Sequence, residues 1–269
     1  MGWVGVGRAE QRSGQDRRVK ANLPRAYARL LGPEGSPGYA VAVPAAAATD
    51  RSLAVRAGLL LVALIVLGFG GRALTQVEAA EARPPLAVLL PHVAAVSAWY
   101  LLFLLQAAWS GPRRRLHRVA GYLSLPLVVA LLWTGLLVMA ANYRLKGDAP
   151  LAFFNVLNLG QFAGLYVAAL TQVRRPRRHM RLMLYASCAM MPPALVRIVQ
   201  AVALPEPVTV LLIVGLWVPG LRHDRATLGR VHGATWVGVG VIAAGVALGG
   251  PVGFSAAWAA LVDGWLGAG

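Results

Sequence analysis

Apolar runs long enough to cross a bilayer recur along this chain, and no soluble fold accommodates so many. A hydrocarbon core of about 30 Å needs about 20 apolar residues in a helix that rises 1.5 Å per residue. About seven stretches meet or approach that length: 55–74, 86–109, 118–141, 151–173, 181–203, 206–221 and 232–250. The sixth is short and contains Pro219. Lipid offers backbone N–H and C=O groups no partner, so only helices and closed barrels span it, and continuous apolar runs of this length are helical. The expected fold is all-α, a polytopic transmembrane helical bundle of about seven spans.

The loops between the runs alternate in charge. Those after the second, fourth and sixth carry Arg113, Arg114, Arg115 and Arg118, then Arg174, Arg175, Arg177, Arg178 and Arg181, then Arg222, Arg225 and Arg230. The others carry Glu78, Glu81, Asp148 and Glu206 with little positive excess. Basic loops stay in the cytoplasm, which puts the N-terminus inside and the C-terminus outside. A net charge of +16 would suggest nucleic acid in a soluble chain. Here the arginines lie in short inter-span loops, so topology explains them and the expected partner is the lipid bilayer, not nucleic acid. Arginine over lysine and abundant alanine match a GC-rich bacterial genome, hence a bacterial cytoplasmic (inner) membrane.

Residues 1–53 are rich in Arg, Gly, Pro and Ala and read as a disordered basic cytoplasmic tail. No apolar segment follows the early charges, so they make no secretory signal, and Val6 spoils the myristoylation pattern begun by Met1 and Gly2. Asp50 and Ser52 offer capping groups where the first run begins. Residues 251–269, with Trp258, Asp263 and Trp265, read as a short segment in the outer interface, where tryptophan is favoured.

Much membrane chemistry is excluded by what the runs lack. Apart from Glu206 at the very edge of the sixth, none contains Asp or Glu, so carboxylate proton relays and acid-coordinated sodium sites lose their usual residues. The two lysines, Lys20 and Lys146, fall outside every run, which excludes a retinal Schiff base. HExxH and HxxxH are absent, as are phosphate-binding loops and nucleophile elbows. The single cysteine, Cys188, removes disulfides and CxxC redox chemistry and reads as a small buried filler.

What remains is a set of histidines and one arginine. Arg197 lies about 24 Å beyond Arg181 in a helix, in the far third of the hydrocarbon core, and an intramembrane charge marks a candidate functional site. Pro192 and Pro193 cannot donate to the carbonyls of Cys188 and Ala189, so the helix is expected to kink there. His92 comes directly after Pro91, about 9 Å below the outer boundary. Arg197 with Asn155, Asn158, Gln161, Gln200 and Trp99 can line an outward polar pocket for a small anion or lipid. The plainer alternative is that Arg197 snorkels to outer headgroups while the amides join helices.

At the opposite end His117, His179 and His232, with His223 nearby, share one depth, each of the three near the start of a helix that leaves an Arg-rich loop. That recurrence suggests a duplicated helical hairpin. Neutral imidazoles on facing helices hold b-type haem in membranes, and neighbouring arginines can pair its propionates. Three histidines can also make another metal site, and histidine beside arginine is equally an ordinary headgroup-contacting surface. Two GxxxG patterns, Gly160 with Gly164 and Gly245 with Gly249, suit close helix contact.

His92 opening a span, Leu116-His117-Arg118-Val119-Ala120-Gly121-Tyr122, and His179-Met180-Arg181-Leu182-Met183 running on to Arg197 carry a resemblance. Over about residues 86–200 the chain is similar to a family of bacterial integral membrane proteins of unknown function with HR-x-x-G and H-x-R-x-M signatures. That family looks distantly like cytochrome b561-type haem bundles. The resemblance implies haem b, with His92, His117 and His179 as carried-over candidates and His117 and His179 as ligands of the haem iron. It departs from a two-haem bundle because the outer face offers only His92, so one haem at the cytoplasmic end is implied. The two functions expected are a membrane redox protein holding haem b or contacting quinone through His117, His179 and His232, and a non-enzymatic carrier or scaffold built around Arg197.

Overall fold

A computed structural model describes residues 39–70 and 83–267; the described residues form helices and no strands. Helix α1 spans Tyr39–Ile65 and runs on into a π-helical turn, Val66–Gly70; α2 is Leu86–Trp109, α3 Arg114–Lys146, α4 Ala149–Leu170 and α5 Pro176–Ala189. Then come α6 Pro192–Ala201, α7 Val208–Gly215, α8 Val218–Leu228, α9 Gly233–Gly253 and α10 Ala256–Leu266. Residues Ala48–Gly269 form one compact unit.

Five of these helices are long and apolar enough to cross a membrane: Thr49–Gly70, α2, α3, α4 and α9. Helices α5 and α6, bent by 45° where they meet, make a sixth if they are one span. The protein is therefore an all-helical, multi-pass membrane protein. Its outward side chains fit that solvent, with Val129 68%, Trp133 63% and Leu211 69% exposed. The sixth expected run, 206–221, does not form one continuous helix. It divides between α7, of 8 residues, and α8, of 11. Pro219 lies in the first turn of α8, where a missing N–H costs nothing, and the chain breaks just before it.

The break between α5 and α6 is caused by the two prolines. Without donors at Pro192 and Pro193, the Met191 N–H turns to the Cys188 carbonyl at 3.0 Å. The Ser187 carbonyl then takes the Tyr100 hydroxyl of α2 at 3.0 Å, so a neighbouring helix satisfies the bent one. In lipid, helices associate by close packing and hydrogen bonds, since hydrocarbon is as apolar as leucine. Helix α9 shows it: a Cβ on Gly249 would stand 2.5 Å from the Phe154 ring of α4, and one on Gly245 would overlap the Gln161 amide. The other GxxxG pair is different, because a Cβ on Gly160 or Gly164 meets nothing within 4 Å. The core is aromatic around Trp99, whose ring stands edge-on to Phe162 at 4.9 Å and to Tyr166 at 5.6 Å.

Between α3 and α4 the chain turns through Gly147, at φ 64°, a left-handed cap open to glycine, and the Asp148 carboxylate accepts the Leu151 N–H at 2.9 Å to start α4. Helix α10 docks at that corner. Trp258 Nε1 donates to the Ala149 carbonyl at 2.7 Å, and the Tyr143 hydroxyl donates to Asp263. The disordered tail expected over 1–53 lies largely outside the described residues. Helix α1 already runs from Tyr39, so Asp50 and Ser52 stand inside a helix and cap nothing.

Candidate functional site

Two hairpins carry the same local device. In the α2–α3 hairpin His117 lies in the first turn after the arginines, and its Nδ1 bonds the carbonyl of Gln106 on α2 at 3.1 Å. The Gln106 amide returns the bond, donating to the His117 carbonyl at 2.9 Å. In the α4–α5 hairpin His179 Nδ1 bonds the carbonyl of Ala169 on α4 at 2.9 Å. A carbonyl oxygen only accepts, so Nδ1 is the donor in each ring. The neutral imidazole therefore carries its proton there and leaves Nε2 as a bare lone pair. Both histidines are half-buried.

His92 is oriented in a related way. Thr134 spends its hydroxyl proton on the Ala130 carbonyl at 2.7 Å, so in the 3.3 Å contact between His92 Nδ1 and Thr134 Oγ1 the imidazole donates. His232 differs. It caps α9, with Nδ1 accepting the Ala234 N–H at 3.0 Å, which places the proton of the neutral ring on Nε2. Burial and the nearby Arg181 guanidinium push its pKa below the ordinary imidazole value. The tautomer that suits a metal at Nε2 is present at His117 and His179 and reversed at His232. Among the described residues no group of three or more His, Cys, Asp or Glu side chains is arranged to hold a metal ion.

The polar centre of the Arg-rich end is a buried ion pair that sequence reading missed. Arg181, 1% exposed, meets Asp224, 0% exposed. Arg181 Nε donates to Asp224 Oδ1 at 2.8 Å and Nη2 bonds the same oxygen. Asp224 Oδ2 accepts Thr235 Oγ1 at 2.5 Å and the His232 N–H at 3.0 Å. Burial by itself would raise this carboxyl; Arg181, Thr235 and the His232 N–H outweigh it and hold the pKa below the ordinary aspartate value. A second carboxylate, Asp50 of α1, accepts Arg181 Nη2 at 3.3 Å, Arg177 Nε at 3.3 Å and His223 Nε2 at 2.8 Å. Four segments, α1, α5, α8 and the start of α9, are joined here. Arg177 and Arg181 read from sequence as topology signals or as partners for haem propionates, not as members of an ion pair; the available clue was Asp224, an acid set among Arg222, Arg225 and Arg230.

At the other end Arg197 Nη1 donates to the Pro193 carbonyl one turn back at 2.7 Å, and its guanidinium lies 4.4 Å from the Phe69 ring centroid. Two members of the polar pocket expected around it are engaged elsewhere, Trp99 in the core and Gln161 in a helix–helix contact. Trp99 is 3% exposed and donates to Ser187 Oγ at 3.3 Å, because an indole this large is better packed among aromatics than set at a rim. Gln161 donates to the Val241 carbonyl of α9 at 2.8 Å and so joins two helices. Cys188 is buried, as expected of a filler.

No protein-family model, curated protein or solved structure matches the chain.

Proposed function

We propose that this is a membrane redox protein in which His117 and His179 hold haem b, in a bundle of about seven crossings with its N-terminus and Arg-rich loops on the cytoplasmic side of a bacterial inner membrane. What supports the reading is the matched tautomer of the two imidazoles. Each has Nδ1–H tied to a backbone carbonyl of the preceding helix, and such an anchor behind the ring is what orients a metal-bound histidine. The donor set fits the iron of a b-type haem, and Arg113, Arg118, Arg174 and Arg178 in the adjoining turns are of the charge its propionates need. Bound there, haem b would supply one-electron transfer. The chain's part is to fix two imidazoles in the neutral, Nε2-open form and to surround them with apolar helices. His92 and Arg197 then belong to a second, outer region.

The spectrum of purified protein from haem-replete cells tests this. A dithionite-reducible Soret and alpha band is expected, lost in His117→Ala and in His179→Ala and kept in His232→Ala. A colourless protein ends the haem reading and leaves contact with a quinone, tested by labelling with a photoreactive quinone.

One observation favours a second reading, a carrier or scaffold for a small anion or lipid. Discontinuous helices line substrate sites in many transporters, and Arg197 stands on the outer arm of one against a π-helical turn. Arg197→Ala should abolish retention of phosphatidic acid by the purified protein; unchanged retention removes Arg197 from any anion site.

A further inference from the structure

The apolar span Thr49–Gly70, made of α1 and its π-helical turn, touches the bent α5–α6 segment near both of its ends, on either side of the bend. At the Arg-rich end Asp50 accepts Arg181 Nη2 at 3.3 Å and Arg177 Nε at 3.3 Å, both from the α5 arm. At the opposite end Phe69 lies under the Arg197 guanidinium at 4.4 Å, on the α6 arm. The residue beside it, Gly68, meets the α6 backbone so closely that a Cβ would stand 2.5 Å from the Ala194 carbonyl oxygen. The turn carrying both residues, Val66–Gly70, is π-helical. A π-turn takes in one more residue than an α-turn and so rotates the side chains beyond it, a local departure that persists where tertiary contact supports it. The bend between the two grips has no rigidity of its own: the prolines remove the hydrogen bonds that would stiffen it, and one freed carbonyl is satisfied from α2.

We infer that α1 is a strut that sets the angle of the α5–α6 bend, gripped on one arm by Arg177 and Arg181 through Asp50 and on the other by Arg197 and Ala194 through Phe69 and Gly68. The strut connects the outer arginine to the arm that carries His179. A change at either membrane face is thereby passed to the other as a change of bend angle. This holds whether or not His179 binds haem, because it rests on contacts of α1 alone.

Pulsed electron-spin distances in the full-length protein in lipid test it. Spin labels are placed at Arg178 and Val202, both exposed and at the far ends of the two arms, with buried Cys188 left in place. Straightening a 45° bend between arms of this length moves the labels apart by about 3 Å at 1.5 Å per residue. Gly68→Ala with Phe69→Leu at one end, and Asp50→Asn at the other, are each expected to shift or broaden the single distance peak. Should Asp50→Asn fail to fold, Arg177→Gln reads the same grip through a side chain that is 46% exposed. An unchanged peak in the variants of either end overturns the strut, since a helix held at one point cannot fix an angle.

Discussion

The bent α5–α6 segment buries charge at both ends and does so by opposite means. Arg181 is wholly enclosed and meets two carboxylates, Asp224 and Asp50, brought from other helices. Arg197 is half-buried and meets a carbonyl of its own helix and the face of Phe69. The difference teaches where each charge is answered. The first arginine depends on tertiary structure for its counter-charge, and removing one partner leaves the other buried and uncompensated. The second has among its partners a carbonyl one turn back in its own helix and a polarizable ring, so less depends on any one partner.

Asp224→Asn should therefore be the most damaging change here. Breaking one side of a buried ion pair costs about 3–5 kcal/mol, read as a large drop in the thermal midpoint in detergent; a drop no greater than that of Arg197→Met would erase the contrast between the two ends. Acid should act on the same pair. Asp224 has its folded pKa below the unfolded value of about 3.9, so its stabilisation is complete above that value and lost as pH falls through the lower, folded one. Midpoints of wild type and Asp224→Asn, followed from pH 6 down to about 2, should converge at the acid end; a constant gap would mean the carboxylate charge is not what matters. Arg197→Met, which keeps the aliphatic stem, should cost about 1–2 kcal/mol as the hydrogen bond to the Pro193 carbonyl and the cation–π contact with Phe69 are lost, checked by the same melts. Smallest, His232→Ala should lose about 1 kcal/mol of helix capping, and His232→Asn, which can still cap, should lose little of it; equal melts for both variants would show that the Nδ1 cap is energetically silent.

The two ends also differ in how legible they were. The bend and the Arg197 end could be read directly: Pro192 and Pro193 in an apolar run mean a kink, and the helix breaks between Ala189 and Pro192. Arg197 signalled itself as a charge in the far third of that apolar run. Arg181 did not, because an arginine at the end of a basic loop looks like every other topology signal, and its partners lie 43 and 131 residues away in sequence. Asp50 was mistaken for a cap for the same reason: position next to an apolar run explains it locally, while its three donors come from α5 and α8. For the histidines, sequence located the hairpin positions but could not supply the tautomer, which is fixed by whichever backbone atom faces Nδ1. That atom is a carbonyl of the preceding helix for His117 and His179 and an N–H of its own helix for His232.

By itself, the sequence determined the class of solvent and the kind of secondary structure. Hydrocarbon forces backbone groups to pair within a segment, so long apolar runs become helices and prolines mark where they break. Only the tertiary structure decided which polar groups meet. A buried charge is stable where a counter-charge or acceptor arrives in the right place, and that placement depends on how α1, α5, α8 and α9 pack together, which no local pattern of residues encodes.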